Sequence, residues 1–409
     1  MSRSFLLLQG TASLFFSRLT RALMAGGHNV LRVNFCGGDW AYARGGRKLS
    51  YCGELTDLAK WYSELVRRES ISDIVMFGDC REVHLAIHGV AQTNGLRVHV
   101  FEEGYVRPNW ITLERHGVNG RSRLPKDARW YRAHRHAIPP AQEGQPTGYN
   151  LHERVFHDIA YRAANALLKP IFRSYRSHRP RNGLLEYAGL ASRAFRQKIY
   201  TREAEAVTRE LLEGEVPWYL FPLQLNSDAQ IIVHSRFDGI RNAIREVICS
   251  FACSAPDNAL LVIKNHPLDT GLIEYRQYAQ RLAEALNIGR RIRFIDAGHL
   301  PTLLDRARGV VVVNSTVGLS AIHHKRPLIA LGDAIYKMEG LTWCGSLDDF
   351  WLNATAPDME LYNAFLSYVT QETQINGDFY TRSGIAMAVR GAVARLTRDA
   401  ADSNSGLDG

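Results

Sequence analysis

The stretch ISDIVMFGDCREVHLAIHGVAQTNGLRVHVFEEG, residues 71–104, holds two short apolar runs on either side of a longer segment. We predict a strand over ISDIVMFGD, a helix over REVHLAIHGVAQTNG and a second strand over LRVHVFEEG. Short apolar strands that alternate with helices are typical of a parallel, doubly wound sheet. This stretch therefore predicts an α/β fold.

The same alternation extends back to the N-terminus and starts again near residue 214, where strands are predicted over VPWYLFPLQ, NALLVIKNHP, RIRFID, GVVVVNST and RPLIALG. We predict two Rossmann-like lobes with a central cleft, which is the GT-B plan of many sugar-nucleotide transferases. The first strand is not followed by the GxGxxG dinucleotide fingerprint. Fold alone does not fix function, since a two-lobed epimerase or a binding module could share this plan.

We expect four segments along the chain. Residues 1–213 form an N-terminal acceptor lobe with a basic helical insertion at about 150–213, and residues 214–375 form a nucleotide-binding lobe. The pattern GIAMAVRGAVARL predicts a helix within 376–400 that crosses back to the N-terminal lobe. The polar residues 401–409 are predicted to be disordered, and residues 105–150 to be irregular.

The composition is that of an ordinary globular protein with an excess of positive charge. Of the 409 residues, 46% are hydrophobic and 22% are charged, and the formal net charge is +9. Such a charge favours anionic partners: phosphates, nucleic acid or an acidic membrane face. No basic strand is interleaved with aromatic residues and no nucleic-acid motif occurs, so we do not expect a nucleic-acid binder.

Several features favour a cytoplasmic location. The six cysteines include no CxxC pair, which is typical of free thiols in a reducing compartment. The apolar N-terminus is interrupted by Gln9 and Gly10, so it is interpreted as a first strand and not as a signal peptide. No run of about 18 apolar residues is present that would span a membrane.

Carboxylates stand where two of the predicted strands end. Glu102 and Glu103 close the strand that ends in FEEG, and Asp79 closes the strand that ends in FGD. Ligands of open α/β sheets bind at the carboxyl ends of the strands, so these three residues are the candidate catalytic acids. The alternatives are that the glutamates cap the following loop and that Asp79 is structural.

Polar residues at other strand ends are candidates for substrate binding. IKNHPLD places Lys264 and His266 in an anion-binding arrangement, although a core histidine is the alternative. NST after four valines places hydroxyls and backbone N–H groups at a helix start, where they could bind a phosphate or only cap the helix. The candidate substrate-binding residues are Gly10, Gln224, Lys264, His266, Asn314, Ser315 and Thr316.

No DxD motif occurs in the chain. Transferases that use nucleoside diphosphate sugars often hold a divalent metal with that motif. A donor with one phosphate carries less charge, which Lys264, His266 and a helix N-terminus could neutralise without metal. We therefore expect no metal ion and no separate cofactor.

The order Glu-Glu-Gly, His-Pro, Asn-Ser-Thr resembles three motifs shared by bacterial sialyltransferases and β-Kdo transferases, which use CMP-activated sugar acids on GT-B folds. Longer stretches over roughly residues 4–345 resemble the capsule polysaccharide synthesis family, whose members include KpsS-type enzymes that start the poly-Kdo linker of Gram-negative capsules. Those stretches are VNFCGGDW, FGDCR, VFEEGYVRPNWITLE, GVNGRSRLP, FPLQLNSD and NSTVGLSAIHHKRPLIALGDAIYKMEGLT.

The resemblance implies CMP-β-Kdo as donor, retention of the β configuration, and phosphatidylglycerol or its lyso form as acceptor. By position, Glu103 matches the second acidic residue of the acidic motif, His266 the histidine that contacts CMP, and Ser315 and Thr316 the hydroxyls that contact its phosphate. Retention is compatible with double displacement and with front-face attack, and the sequence leaves both open. The alternative function is a non-catalytic sugar- or lipid-binding scaffold of a capsule assembly complex, whose other proteins are potential partners.

Residues from Arg154 to Lys198 include ten basic and only two acidic side chains. Spacing places Leu168, Ile171, Phe172 and Tyr175 on one helical face. A basic amphipathic segment suits an anionic leaflet, so we expect a peripheral protein on the inner membrane; a solvated basic face is the alternative. The predicted lipid contacts are Lys169, Arg173, Arg176 and Arg179.

Overall fold

The computed structural model describes residues 2–177, 183–225 and 229–398. The chain divides into two compact units. The first unit consists of residues 1–123, 139–178 and 366–409, and the second of residues 124–138 and 179–365.

Strands and helices alternate along most of the chain. The strands are β1 Ser4–Leu7, β2 Asn29–Asn34, β3 Arg47–Ser50, β4 Asp73–Phe77, β5 Arg97–Glu103, β6 Trp110–Arg115, β7 Trp218–Pro222, β8 Leu260–Lys264, β9 Ile292–Ile295, β10 Gly309–Val312, β11 Leu328–Ala330 and β12 Gln374–Asn376. The helices are α1 Phe15–Ala25, α2 Gly37–Tyr42, α3 Leu58–Arg68, α4 Glu82–Thr93, α5 Ala128–His134, α6 Leu151–Leu167, α7 Gly183–Glu213, α8 Ala229–His234, α9 Ile240–Ser254, α10 Tyr275–Ala285, α11 Leu300–Arg306, α12 Val317–His323, α13 Leu347–Asn353, α14 Met359–Thr373 and α15 Arg382–Thr397.

The first unit contains a seven-stranded sheet in the order β12-β6-β5-β4-β1-β2-β3. The five strands from β5 to β3 are parallel, and their order is that of a Rossmann sheet. Because strand side chains alternate between faces, Phe5 and Leu7 enter one core cluster, while Leu6 and Leu8 enter another. Both faces of β1 are therefore buried, as expected for a central parallel strand.

The other end of this sheet is antiparallel. β6 pairs with β5, and β12 pairs with β6. β6 lies inside the stretch that was predicted to be irregular, and that prediction was wrong. Its central residues include Thr112 and Glu114, which are buried polar side chains and mask the apolar pattern of a strand.

The C-terminal helix α15 belongs to the first unit. Its buried residues, among them Ile385, Ala388 and Leu396, lie in the same core cluster as Phe15, Leu19 and Leu23 of α1. Arg395 of α15 also donates to the carbonyl of Gln374 at 3.1 Å. The prediction that this helix returns to the N-terminal lobe is confirmed.

The second unit contains five parallel strands in the order β11-β10-β7-β8-β9. β7 is central, and its neighbours β8 and β10 are almost entirely buried. Helix α9 covers one face through Ile244, Val247 and Phe251, which are inaccessible to solvent. The predicted α/β class with two Rossmann-like units is confirmed.

The two units do not coincide with the predicted domain boundaries. α7 and residues 124–138 belong to the second unit, and the chain from residue 366 belongs to the first. Residues 401–409, predicted to be disordered, lie outside the described residues. None of the helices in the described parts of the chain has the length and hydropathy of a membrane span.

Candidate functional site

The carboxyl ends of β1, β2, β4 and β5 lie along one edge of the first unit's sheet, because these strands are parallel. The two predicted glutamates are the last residues of β5. Adjacent strand residues point to opposite faces, and the two side chains have different partners. They therefore do not form a carboxylate pair.

Glu103 is held by two side chains from distant parts of the chain. Its Oε1 accepts a hydrogen bond from the Tyr380 hydroxyl at 3.0 Å and lies 3.5 Å from a guanidinium nitrogen of Arg154. The Glu103 side chain remains 29% exposed. A half-buried carboxylate fixed by a cation and a hydroxyl is preorganised to stabilise or attack a centre of positive charge.

The charges around Glu103 reinforce one another. Arg154 also lies over the Tyr380 ring, 4.9 Å from its centre. Burial lowers the pKa of Arg154, but Tyr380 and Glu103 outweigh it and raise that pKa above its ordinary value. Burial, together with Glu103, raises the pKa of Tyr380 well above its usual range, so Tyr380 remains a neutral donor.

Asp79 is more buried than Glu103, whereas Glu102 is partly exposed as Glu103 is. Glu102 Oε1 accepts the backbone N–H of Glu103 at 3.0 Å. Asp79 is 1% exposed, and its Oδ2 faces the Val118 N–H at 3.4 Å and Arg121 at 3.7 Å. These contacts with the loop after β6 favour a structural role for Asp79.

A polar cluster that the sequence reasoning missed lies at the ends of β1 and β2. Asp39, buried at the start of α2, accepts hydrogen bonds from Gln9 at 3.0 Å, from Tyr161 at 2.6 Å and from the Phe35 N–H at 3.1 Å. Arg81 donates to the Gln9 side chain at 3.1 Å. Asp39 lies in VNFCGGDW and Arg81 in FGDCR. Both stretches carried the family resemblance, so they could have pointed to these two residues.

Two tyrosines complete this cluster from outside the sheet. Tyr161 of α6 and Tyr175 both lie within hydrogen-bond distance of Gln9 Nε2, at 3.4 and 3.1 Å. Burial, reinforced by Asp39 and Cys36, raises the pKa of both phenols. Both phenols therefore stay neutral. Tyr161 donates to Asp39 and accepts from Gln9 Nε2, which attaches α6 to the sheet edge, and Tyr175 also accepts from Gln9 Nε2.

Gly10 has a packing role. A Cβ at this position would lie 2.7 Å from the Phe16 ring, and the Gly10 carbonyl accepts from Arg81 at 2.9 Å. Glycine therefore permits the chain to turn closely over α1. Its predicted contact with substrate stays a prediction.

In the second unit, Gln224 and Asn314 form a reciprocal pair across neighbouring strand ends. Gln224 Nε2 donates to Asn314 Oδ1 at 3.0 Å, and the Asn314 N–H donates to Gln224 Oε1 at 3.2 Å. Asn314 also donates to the His234 carbonyl at 3.1 Å. Both side chains are buried, so the pair fixes the loops after β7 and β10.

Lys264 and His266 flank Asn265 at the end of β8. The Asn265 amide donates to Asp296 at 2.8 Å and to Asp269 at 3.2 Å. The His266 ring nitrogen Nδ1 accepts the Leu268 N–H at 3.1 Å, which orients the ring. Burial and the nearby Arg193 lower the pKa of Lys264, and the charge of Asp296 only partly offsets them.

Ser315 and Thr316 precede α12. Ser315 Oγ accepts the Val317 N–H at 3.2 Å, whereas Thr316 makes no capping hydrogen bond with its side chain. Ser315 therefore bonds the N–H of the first helical residue, while Thr316, at the N-cap position, contributes no side-chain cap. Phosphate binding by these two residues stays a prediction. α12 has seven residues.

The predicted lipid-binding segment is not one helix. α6 ends at Leu167, and residues 168–174 form turns around Pro170, which lacks the N–H that would continue the helix. Phe172 is buried and Tyr175 contacts Gln9, so the predicted common face was wrong. Lys169, Arg173 and Arg176 are exposed, and Arg179 lies outside the described residues.

Comparison with known proteins places the chain in a family. Residues 72–380 match the family model described as "Capsule polysaccharide biosynthesis protein". The chain is 35% identical over 381 residues to the capsule polysaccharide export protein KpsS of Escherichia coli, covering 92% of this chain and 97% of KpsS. It is 31% identical over 391 residues to the capsule polysaccharide modification protein LipB of Neisseria meningitidis serogroup A, covering 93% and 92% of the two chains.

A solved structure of Thermosulfurimonas dismutans KpsC, a beta Kdo 2,7 transferase, is similar with a TM-score of 0.45 and 14% identity, covering 96% of this chain and 99% of that one. The family model covers more than half of the chain, and KpsS and LipB align with nearly all of it. The chain therefore belongs to the capsule polysaccharide biosynthesis protein family.

Proposed function

We propose that this protein is a retaining glycosyltransferase that moves Kdo from CMP-β-Kdo onto phosphatidylglycerol or lyso-phosphatidylglycerol and so starts the linker of a capsular polysaccharide. Family membership and the Glu-Glu-Gly, His-Pro and Asn-Ser-Thr motifs support the reaction class. One structural observation carries the proposal: Glu103 is held at a sheet edge by Arg154 and Tyr380, yet remains open to solvent.

Glu103 acts on the anomeric carbon of Kdo in this proposal. Its carboxylate oxygen attacks that carbon, the bond to the phosphate oxygen breaks, and CMP leaves with the electron pair. The acceptor hydroxyl then attacks the same carbon, loses its proton to a base and displaces Glu103. Two inversions retain the β configuration. Front-face attack, in which Glu103 only stabilises positive charge, gives the same product.

Arg154 can bind the carboxylate of the donor sugar in addition to its contact with Glu103. Kdo carries a carboxylate next to its anomeric carbon, and a guanidinium matches a carboxylate with two parallel hydrogen bonds. Arg154 already lies 3.5 Å from Glu103, so it would bring the sugar acid to the attacking oxygen. It also offsets the repulsion between the two carboxylates.

Donor binding is assigned to the strand ends of the second unit. Lys264 and His266 supply charge and a ring nitrogen for the single phosphate of CMP, and Ser315 and Thr316 supply hydroxyls. The buried pair of Gln224 and Asn314 positions the Ser-Thr loop. We propose that no metal ion takes part, since CMP has one phosphate and the chain has no DxD motif.

A lipid acceptor implies that the protein acts at a membrane surface. We propose that the protein acts at the cytoplasmic face of the inner membrane, as a peripheral protein alongside other capsule assembly proteins. An anionic lipid surface suits the net charge of +9.

Nucleotide binding tests the donor assignment. A ligand at about 100 times its Kd stabilises the folded state by roughly 2.7 kcal/mol, so CMP should raise the melting temperature while UMP and AMP do so less. Lys264→Met and His266→Ala should remove the effect, and Arg290→Ala, an exposed cation of the same unit, should retain it. A protein that no CMP concentration stabilises would support the alternative, a non-catalytic scaffold.

A further inference from the structure

Helix α6 carries a row of apolar side chains that the fold leaves in solvent. Its outward positions recur at intervals of three and four residues, which is one face of a helix. Phe156 is 67% exposed, Ile159 49% and Leu167 78%. We call this set the α6 apolar face; its large members are Leu151, Val155, Phe156, Ile159, Leu167 and, just past the helix, Ile171.

The opposite side of α6 is fixed firmly to the first unit. Asn165 accepts the Gly38 N–H at 2.6 Å, and Tyr161 reaches Asp39 at 2.6 Å. A Cβ on Gly37 would lie 2.1 Å from the Ala164 carbonyl oxygen, so the helix and α2 approach too closely for any other residue. The apolar face is therefore rigidly presented and cannot turn inward.

Charge accompanies the apolar face at one end. Lys169, Arg173 and Arg176 are exposed directly after the helix, and no acidic residue occurs between Leu167 and Ser177. Along α6 itself, Glu153 is the exposed acidic residue, since Asp158 pairs with Arg162 at 2.9 Å. Glu54 reaches this rim from another element and accepts from Ser174 at 2.7 Å. The surface is thus apolar with a rim in which basic residues are in excess.

We infer that the α6 apolar face inserts into the headgroup region of an anionic lipid bilayer. A helix of 17 residues is about 25 Å long, and such a helix lies in the interface plane with its apolar face down and its basic residues on the phosphates. A second copy of this chain fits less well, because a chain with a net charge of +9 would on balance repel the basic rim. The inference rests on the proposed function only in that the acceptor is a lipid.

Vesicle sedimentation tests the inference without any turnover. The wild type should bind phosphatidylglycerol vesicles at least about tenfold more strongly than phosphatidylcholine vesicles. The double variant Phe156→Gln/Ile159→Gln should bind phosphatidylglycerol at least about tenfold more weakly than the wild type, because two apolar side chains no longer enter the interface. Leu85→Gln, a change of similar exposure on α4, is the matched control and should bind as the wild type does. Arg173→Gln/Arg176→Gln should weaken binding and reduce its sensitivity to salt.

Three outcomes would overturn the inference: no binding of the wild type to either vesicle, equal binding by the wild type and the Phe156→Gln/Ile159→Gln variant, or a dimer that this variant converts to a monomer without any vesicle binding. A short-chain, monomeric phosphatidylglycerol separates this inference from the proposed function. The Phe156→Gln/Ile159→Gln variant should transfer sugar to that soluble acceptor as fast as the wild type does. A wild type that transfers no sugar to it would count against the proposed reaction and not against the membrane inference.

Discussion

Replacing Glu114 with glutamine should make the stability of the first unit less dependent on pH. Glu114 is 7% exposed in the middle of the β5–β6 pair. Burial raises its pKa to about 7, although hydrogen bonds from Ser122 and Tyr105 oppose the shift. Glutamine has nearly the same shape as the protonated side chain and does not ionise.

The size of the effect follows from the two pKa values. The ordinary value is 4.5 and the folded value is about 7, a difference of roughly 2.5 units or about 3 kcal/mol. Below pH 4.5 Glu114 is protonated in both the folded and the unfolded chain, and its contribution to the free energy of unfolding is at its maximum. As the pH rises to about 7, the unfolded chain gains stability by losing that proton while the folded chain retains it, so about 2.5 kcal/mol is lost between pH 5 and pH 8.

Hydrogen exchange of residues 97–115, recorded at increasing urea concentration, measures the free energy of unfolding of the β5–β6 region that contains Glu114. The wild type should lose about 2.5 kcal/mol more than Glu114→Gln between pH 5 and pH 8. Glu64→Gln, an exposed carboxylate on α3, is the control and should follow the wild type. Equal pH dependence in the wild type and Glu114→Gln would show that ionisation of Glu114 does not cause this loss of stability.

Three further predictions concern packing, acid stability and the donor site. Gly38→Ala should destabilise the packing of α6 by about 1–3 kcal/mol, because its Cβ would lie 2.5 Å from the Tyr161 ring. Hydrogen exchange over residues 151–167 should become faster. Gly89→Ala, whose Cβ meets nothing within 4 Å, is the control and should leave that exchange unchanged. Asp73 is buried, and although burial raises its pKa, hydrogen bonds from Arg97 at 2.7 Å and from other neighbours hold it well below the ordinary 3.8. Its stabilisation is present above pH 3.8 and lost as the pH falls, and Asp73→Asn should cost roughly 3 kcal/mol in urea denaturation at pH 7; an unchanged midpoint would contradict this. Transfer should survive excess EDTA, whereas a loss restored by magnesium would show that a metal takes part.

The sequence predicted the regular parts of the fold because their signals are local. The run at 73–77, the helix at 82–93 and the strand that ends at Glu103 follow from apolar period and glycine turns alone. The antiparallel edge was missed for an equally local reason: β12 is three residues long, and its Gln374 is polar. Gln374 donates to Thr112 at 3.0 Å, a contact 262 residues apart that no period reveals.

The candidate site was predicted at strand ends, but its partners were not. Glu103 could be named because a carboxylate follows an apolar run. Arg154 and Tyr380 come from α6 and from the turn before α15, so only the tertiary fold brings them to Glu103. The exposure of the α6 apolar face also depends on the tertiary fold, because it is set by which side of the helix packs against Gly37 and Gly38.

The most direct test of the account is transfer of Kdo from CMP-β-Kdo, made in situ, to a fluorescent phosphatidylglycerol, followed by mass spectrometry. The wild type should add the mass of one or more Kdo residues to the lipid. Glu103→Gln should lower the rate at least about 100-fold, as expected for a positioned catalytic carboxylate, while CMP still raises its melting temperature. No product with the wild type, or equal rates for the wild type and Glu103→Gln, would contradict the proposed reaction or the role of Glu103 respectively.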